Sequence, residues 1–269
     1  MKHEYLSNIA RSDANFILTG FLPIPKFAVT LLSASGGTGK TRLALVMADK
    51  HICQTGEKVA LWLTEDYVGQ IRASFEDMAK AGITKLESME KMIIITEEPP
   101  QLAKREGGLF KANYDEIKKI GEFLIMNQVK FVVFDPLLAF YGGNENDNSE
   151  ARVFVQGFAE WAKNASITTL IIHHSNKDGA SRGATAFHDG VRCRYELTNP
   201  EDDNIMKSGK RTATLKKDNW GARKHLWELS DGKDEINIQI MPKMAFIKSI
   251  SPIIVEYSDN GFSKGLMND

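Results

Sequence analysis

The sequence predicts a single α/β domain in which helices flank a mostly parallel central sheet that continues into an antiparallel extension. Short, nearly continuous apolar segments alternate with segments of helical periodicity, as parallel strands covered on both faces do. A glycine-rich turn joins the first of these strands to the first helix. After residue 190, strand patterns follow one another without helices between them. We expect one domain over residues 1–269, with its core at about 14–230 and a C-terminal extension at 231–269.

The order of these elements follows from hydrophobic spacing along the chain. The expected strands of the alternating part are Phe27–Ala34, Glu57–Thr64, Met92–Thr96, Lys130–Asp135 and Ile167–His173. The helices expected between them are Thr41–Gln54, Val68–Ala81, Tyr114–Asn127 and Ser149–Asn164. The antiparallel extension of the sheet, which begins after residue 190, is expected to contain the strands Val191–Thr198, Lys210–Lys217, Lys224–Ser230 and Glu235–Met241.

Composition excludes several classes of protein. The chain carries 34 basic and 35 acidic residues, and a net charge of −1 argues against whole-surface binding to nucleic acid, although not against a local basic lining. Cys53 and Cys193 have no paired spacing, which argues against a disulfide framework or a zinc site and favours a reducing compartment. The apolar runs are too short to cross a bilayer, and the first residues lack the apolar core of a signal peptide. We therefore expect a cytoplasmic protein with no membrane partner.

The segment ASGGTGKT at residues 34–41 has the composition of a phosphate-binding loop. Its glycines let the backbone wrap around a phosphate chain, and the following helix adds its unpaired N-terminal amides and its dipole. Lys40 can reach the β- and γ-phosphates, and the Thr41 hydroxyl can ligate Mg²⁺. The usual pattern begins with glycine, whereas Ala34 stands there, at the turn out of the strand. The residues expected to bind ATP are Ser35, Gly36, Gly37, Thr38, Gly39, Lys40, Thr41 and Arg42.

Two strand ends supply acidic residues. Phosphoryl transfer to water needs a carboxylate that holds the metal and a group that orients the nucleophile. The strand FVVF runs into Asp135, which places that carboxylate at the carboxyl edge of the sheet as the residue expected to hold Mg²⁺ through water. Glu65 and Asp66 end the strand VALWLT. Glu65 either orients the attacking water or is an acid favoured by a helix dipole.

A histidine pair ends the strand TTLIIHH. His173 and His174 are adjacent and no third ligand is apparent, which argues against metal binding. A polar residue here can instead hydrogen-bond the γ-phosphate and report its loss to the following loop. That loop is polar and glycine-rich, carries Lys177 and Arg182, and is longer than most connections. It is either a plain surface loop or a functional one.

Taken in order, these motifs resemble the RepA-type hexameric helicases of broad-host-range plasmids, within the RecA/DnaB superfamily of P-loop ATPases. The resemblance spans roughly residues 14–230. It rests on ASGGTGKT, LTED, FVVFDPL, IIHHSNK, ASRGAT, DGVR and KKDNWG. It implies a RecA-like fold and a homo-oligomeric ring of six domains that hydrolyse ATP between subunits and translocate on single-stranded DNA.

The resemblance also implies roles for individual residues. Lys40 and Thr41 match the phosphate-loop pair, Glu65 matches the catalytic glutamate, and Asp135 matches the Walker B acid. His173 or His174 matches the histidine at the strand end, and spacing does not choose between them.

Two later cations match residues that act on a neighbouring subunit. Arg192, in DGVR, falls at the arginine finger, and Lys217, in KKDNWG, matches the lysine of a second trans-acting segment whose arginine is replaced here by Asn219. Both would lie in strands added at the far side of the sheet. For Arg192 alone, without the resemblance, an ordinary strand residue paired with an acid is an equal alternative.

The family's DNA-binding loops follow the Walker B strand and the histidine strand. The first, YGGNENDNSE, is acidic here and is a poor binder of phosphate. The second offers Lys177 and Arg182, which we expect to contact single-stranded DNA. Three functions follow: a ring-forming DNA helicase or translocase of plasmid or mobile-element replication, a RecA-like regulatory ATPase switch without unwinding, or a filament-forming accessory ATPase of DNA repair.

Overall fold

The computed structural model describes residue 5, residues 14–175 and residues 185–242 of the chain. The strands in these residues are β1 Phe16–Ile17, β2 Ile24–Pro25, β3 Val29–Ala34, β4 Lys58–Leu63, β5 Met92–Ile94, β6 Ala103–Glu106, β7 Leu109–Ala112, β8 Val129–Asp135, β9 Thr168–His174, β10 Cys193–Thr198, β11 Lys210–Asp218 and β12 Glu235–Gln239. The α-helices are α1 Lys40–Thr55, α2 Val68–Lys80, α3 Tyr114–Met126, α4 Asn148–Ala165, α5 Ala186–Gly190, α6 Asp203–Lys207 and α7 Ala222–Leu229. Short 3₁₀ helices cover Leu86–Lys91 and Leu137–Phe140.

A central sheet of eight strands has the order β12-β11-β10-β3-β9-β8-β4-β5. All neighbours from β10 to β5 are parallel, whereas β11 and β12 continue the sheet in antiparallel pairs. This confirms the predicted fold class of a RecA-like P-loop fold with an antiparallel extension. Two small antiparallel pairs, β1-β2 and β6-β7, lie outside this sheet.

The strands are buried on both faces, which is why they have nearly continuous apolar sequences. In β8, Phe131 and Val133 belong to the apolar layer that contains α1 and α2, whereas Val132 and Phe134 belong to the layer that contains α3 and α4. Burying one such phenylalanine contributes roughly 1.5–3 kcal/mol. Each layer therefore holds its helices against one side of the sheet.

Turn chemistry sets the ends of the helices. α1 ends where Gly56 adopts a left-handed conformation and its N–H donates to the Ile52 carbonyl, as glycine C-caps do. α4 begins at Asp147, whose side chain accepts hydrogen bonds from the N–H groups of Ser149 and Glu150.

In the described residues, no helix is both long enough and apolar enough to cross a membrane.

The extension differs from its prediction in two respects. The predicted strand Lys224–Ser230 is the helix α7, because the Asp218 carboxylate accepts hydrogen bonds from the N–H groups of Trp220, Gly221 and Arg223 and starts a helical turn. Ala222 and Leu226, four residues apart, are then buried on one helix face. The predicted strand Val191–Thr198 is also not an antiparallel addition to the sheet, because β10 pairs in parallel with β3, and only β11 and β12 continue in antiparallel pairs.

Candidate functional site

A cavity of about 610 Å³ opens at the carboxyl edge of the parallel strands. The side chains and glycines at its wall are Gly36, Gly37, Gly39, Lys40, Thr41, Arg42, Leu45, Glu65, Asp66, Gln70, Ile71, Ser74, Asp135, His174, Arg211 and Met241. A second cavity, of about 620 Å³, lies beside Lys50 and Lys80 and has no carboxylate in its lining. Of these two cavities in the described residues, the first combines the phosphate loop with acids, so we assign the site there.

The phosphate loop connects β3 to α1 through two glycines with positive φ. Gly37 has φ 74° and Gly39 has φ 99°, and both angles favour glycine. Within the loop, the Lys40 ammonium donates hydrogen bonds to the carbonyls of Ser35, at 3.0 Å, and Ala34, at 3.4 Å. The ammonium is thus folded onto its own loop, where incoming phosphate oxygens can replace these carbonyls.

Burial of Lys40 lowers the pKa of its ammonium from the ordinary value, and the charges of Asp135 and Glu65 oppose that shift. The negative charges of the same two acids favour the ammonium form of the lysine in the wall of the cavity. A charged lysine is the form that attracts phosphate.

Asp135 ends β8 and faces the start of α1. Its Oδ2 accepts a hydrogen bond from the Thr41 hydroxyl at 3.1 Å. Its Oδ1 is buried and has no hydrogen-bond partner in the described part of the chain. The Asp135 carbonyl accepts hydrogen bonds from the Thr64 N–H, at 2.9 Å, and from the Thr64 hydroxyl, at 3.2 Å, which ties β4 to β8 at this point.

These contacts fit a magnesium ion. Burial raises the pKa of Asp135 to about 6, the Thr41 hydrogen bond opposes the shift, and the Glu65 charge adds to it. A hard cation next to an unpartnered carboxylate oxygen and a hydroxyl would relieve the cost of this buried charge. The described residues contain no group of three or more His, Cys, Asp or Glu side chains able to hold a metal. The remaining ligands would therefore come from water and a nucleotide.

Glu65 lines the same cavity as the phosphate loop. β4 is parallel to β8 with Leu63 opposite Asp135, so the residue two positions beyond Leu63 reaches the same sheet edge. The Glu65 carboxylate is 3.2 Å from Nε2 of His174, which ends β9. Glu65 stays more than half exposed, at 59% of its side chain, so water can reach it. A carboxylate held in this way can orient a water molecule.

The two histidines point to opposite sides of β9. His174 lines the cavity, whereas His173 is fully buried against Phe187, with ring centroids 5.6 Å apart, and near His188, at 5.9 Å. Successive side chains of a strand alternate between faces, which accounts for the difference. The histidine that reaches the site is therefore His174.

Arg192 lies away from the cavity of its own chain. It immediately precedes β10, which runs parallel to β3 with Cys193 opposite Thr30 and Leu197 opposite Ala34. Arg192 is therefore at the amino edge of the sheet, roughly 16 Å along the strand from the level of the phosphate loop. It is exposed, and its carbonyl accepts a hydrogen bond from the Asn219 N–H.

Lys217 also lies at this amino edge, opposite Arg194 in the neighbouring strand. Its ammonium donates hydrogen bonds to the carbonyls of Asp189, at 2.6 Å, and His188, at 3.4 Å. In this structure Lys217 therefore holds α5 of its own chain. The structure does not bring Arg192 or Lys217 to the cavity.

The loops expected to bind DNA are only partly described. Lys177 and Arg182 lie outside the described residues, as does the chain after residue 242. In the first loop the acids have local roles. Asp147 caps α4, and Glu150 is buried, ion-paired with Arg105, and accepts a hydrogen bond from the Asn144 N–H. These two carboxylates therefore hold the loop through contacts within its own chain.

Arg211 is a charged residue of the cavity wall that the sequence analysis did not identify. β11 is antiparallel to β10, so its first residues return to the carboxyl edge, beside the phosphate loop. Arg211 shares the buried side of β11 with Ala213 and Leu215. A cation on the apolar face of a predicted strand is an unusual pattern, and it is the signal that could have identified this residue.

A protein-family model described as an AAA domain matches residues 17–180, which is more than half of the chain. The matched part includes the phosphate loop, Glu65, Asp135 and His174, and it ends before Arg192. No curated protein matches the chain.

Proposed function

The chain belongs to the AAA domain family of P-loop ATPases, and from that premise we propose that it is a ring-forming DNA helicase or translocase that hydrolyses ATP. The observation that carries the proposal is the grouping of Lys40, the Thr41–Asp135 pair and the Glu65–His174 pair around one cavity. This set contains a phosphate-binding cation, a candidate metal site and a candidate base, which are the parts that phosphoryl transfer to water requires.

In the proposed reaction, a water oxygen bonds to the γ-phosphorus while the bond from that phosphorus to the bridging β–γ oxygen breaks. Glu65 orients this water and takes its proton, and His174 holds the Glu65 carboxylate in place. Lys40 leaves its loop carbonyls and contacts the β- and γ-phosphates. Thr41 and Asp135 would hold Mg²⁺, which neutralises negative charge on the phosphates when bound.

We assign Arg192 to the nucleotide of a neighbouring subunit. Negative charge builds up on the transferred phosphoryl group, and a guanidinium at that position stabilises it. Arg192 is exposed at the amino edge of the sheet, too far from its own Lys40 to supply this charge. A head-to-tail ring, which the resemblance suggests is a hexamer, would bring it to the next cavity. Lys217 could act on the same nucleotide as Arg192 only if its ammonium released its hydrogen bonds to the carbonyls of α5.

We assign single-stranded DNA as the polymer on which this ATPase acts, in plasmid or mobile-element replication. Lys177 and Arg182 would contact its phosphates, and a ring would present these two cations once in each subunit. A regulatory ATPase switch is the second candidate, because the acids of the loop after β8 are used in local contacts and the chain has a net charge of −1.

The experiment that tests the proposal is ATP hydrolysis measured with and without single-stranded DNA, alongside displacement of an annealed strand. A helicase or translocase should hydrolyse ATP faster with DNA, because hydrolysis is coupled to movement along the strand. ATP hydrolysis that ignores DNA, with no strand displaced, would favour the regulatory switch. Absence of hydrolysis under every condition would contradict both.

A further inference from the structure

Arg211, near the start of β11, contacts the phosphate loop of its own chain. Its Nε donates a hydrogen bond to the Thr38 carbonyl at 3.0 Å, and Nη1 donates to the Lys210 carbonyl at 2.7 Å. The residue is only 9% exposed. A guanidinium presents its donors in a rigid plane, so these two bonds fix its orientation. The extension therefore contacts the loop through a directional hydrogen bond.

The charge of Arg211 has no acidic partner in the described part of the chain. Besides the two carbonyls, its guanidinium has one further hydrogen-bond acceptor among the described residues, the Met241 sulfur at 3.5 Å. Its charged neighbour is Arg42, another cation, and burial together with Arg42 lowers the pKa of Arg211. A buried charge without an ion pair is costly. Here it stands in the wall of the cavity that also contains Lys40, where a triphosphate would supply the missing negative charge.

The contact with Thr38 also sets the orientation of the next amide. In a trans peptide the carbonyl and the N–H of the following residue point in opposite directions, so holding the Thr38 carbonyl fixes the Gly39 N–H. The end of the extension packs against the same glycine. A Cβ on Gly39 would lie 2.9 Å from Met241 Cε and 3.1 Å from Ile240 Cδ1. Arg211, Ile240 and Met241 together hold this part of the loop.

We propose that Arg211 is a positioning residue for nucleotide binding, which acts in cis by holding the phosphate loop in its binding conformation and by leaving a positive charge beside the phosphates. The inference rests on the proposed ATPase function and adds a role for the antiparallel extension. It differs from the role of Arg192, which concerns a neighbouring subunit and the chemical step. Arg211 should therefore affect nucleotide affinity in an isolated subunit.

The test compares Arg211→Gln and Arg211→Lys with the parent and with Lys210→Gln, a matched change at the exposed neighbour on the same strand. Binding of fluorescent ATP and ADP analogues and steady-state hydrolysis are measured for each. Arg211→Gln should raise Kd and KM about tenfold or more, because a charge-assisted hydrogen bond is removed. Its kcat should fall by less than about threefold, because the role proposed for Arg211 is in nucleotide binding and not in the chemical step. Arg211→Lys should bind with intermediate affinity, and Lys210→Gln should match the parent.

Thermal unfolding separates positioning from general stability. A purely structural role would lower the melting temperature of the nucleotide-free protein and leave the nucleotide-induced increase unchanged, and that result would overturn the proposal. If Arg211→Gln does not fold, Arg211→Lys carries the test through its intermediate Kd. Parental affinity in both folded Arg211 variants would also overturn it. Affinity for GTP should fall as much as affinity for ATP; a fall in affinity for ATP alone would indicate contact with the base and would likewise overturn the proposal. If the parent itself neither binds nor hydrolyses ATP, the proposed function fails first.

Discussion

The Thr41 hydroxyl donates a hydrogen bond to the Asp135 carboxylate at 3.1 Å, although the two residues are 94 positions apart in the sequence. The contact joins the first turn of α1 to the end of β8, across the strand β9 that separates β3 from β8 in the sheet. One Asp135 oxygen is used in this bond, and the other is buried with no hydrogen-bond partner in the described residues. The pair therefore leaves one carboxylate oxygen of Asp135 without a hydrogen bond beside the first turn of α1.

The stability of the metal-free protein should depend on pH through Asp135. The pKa of Asp135 in the folded protein, about 6, exceeds the ordinary value of 3.8, so the folded state holds this proton more tightly than the unfolded state. The resulting gain in the free energy of unfolding is complete below about pH 4 and is lost as pH rises through about 6. Asp135→Asn removes the buried charge. The variant should unfold with a higher free energy than the parent at pH 7.5, by up to about 3 kcal/mol.

Chemical denaturation of both proteins in a metal chelator at pH 4.5 and pH 7.5 measures this difference. Asp66→Asn, at another acid of the same cavity, is the matched control and should show no such gain. A difference between Asp135→Asn and the parent that is the same at both pH values would contradict the account. Asp135→Asn should also lose magnesium-dependent ATP hydrolysis.

Changes at Glu65 and Lys40 should separate turnover from binding. Glu65→Gln keeps the shape of the side chain but cannot accept a proton, so ATP should bind with near-parental affinity while kcat falls about 10²- to 10⁴-fold. Lys40→Ala should weaken ATP binding itself, because it removes the cation that contacts the phosphates. Glu76→Gln, on the surface of α2, is the control. Parental turnover in Glu65→Gln would show that the base lies elsewhere.

The two histidines should give opposite phenotypes. His174→Ala removes the 3.2 Å contact to Glu65, and we expect kcat to fall about tenfold or more with little change in melting temperature. His173→Ala leaves a cavity beside Phe187, and we expect a loss of roughly 1–3 kcal/mol in the free energy of unfolding. Paired measurements of kcat and thermal unfolding on both variants check this. If His173→Ala kept full stability and lost turnover, the assignment would be reversed.

Much of the fold could be predicted because buried parallel strands and amphipathic helices have distinct periods. The helix predicted at Thr41–Gln54 is found at Lys40–Thr55, and the strand predicted at Ile167–His173 is found at Thr168–His174. The prediction for residues 224–230 is wrong because their apolar positions fit either period over so short a length. The helix there depends on hydrogen bonds from three backbone N–H groups to Asp218.

Relations between distant strands could not be predicted from the sequence. The spacing of the histidines does not decide which one reaches the cavity, because that depends on which face of β9 meets α4 and α5. The position of Arg192 depends on β10 being parallel to β3, and the position of Arg211 depends on β11 being antiparallel to β10. The antiparallel pairing of β11 is expected from the run of strands without helices between them, but the pattern of β10 does not reveal that it pairs in parallel with β3, because parallel and antiparallel strands share the same period.

The DNA contacts remain a prediction for residues outside the described part of the chain. Reversing the charge of Lys177 and Arg182 to Glu should weaken binding to single-stranded DNA, because both cations are expected to contact phosphates. The slope of log affinity against log salt should flatten by about 0.7 for each phosphate that the variant no longer neutralises. Fluorescence anisotropy over a salt series measures both quantities, with Lys130→Glu, an exposed residue of β8, as the control. An unchanged slope would exclude this loop from the DNA path.

The central claim is that each active site is completed by a neighbouring subunit, and its most direct test is complementation between two inactive variants. Arg192→Ala keeps its phosphate loop but lacks the finger, whereas Lys40→Ala lacks the loop cation but keeps the finger. Each alone should hydrolyse ATP poorly while still assembling. In mixtures that co-assemble, the account predicts recovered hydrolysis that is highest near equal proportions, because only mixed interfaces join an intact loop to an intact finger. Parental hydrolysis by Arg192→Ala, or full activity of the parent as a monomer at high dilution, would contradict it.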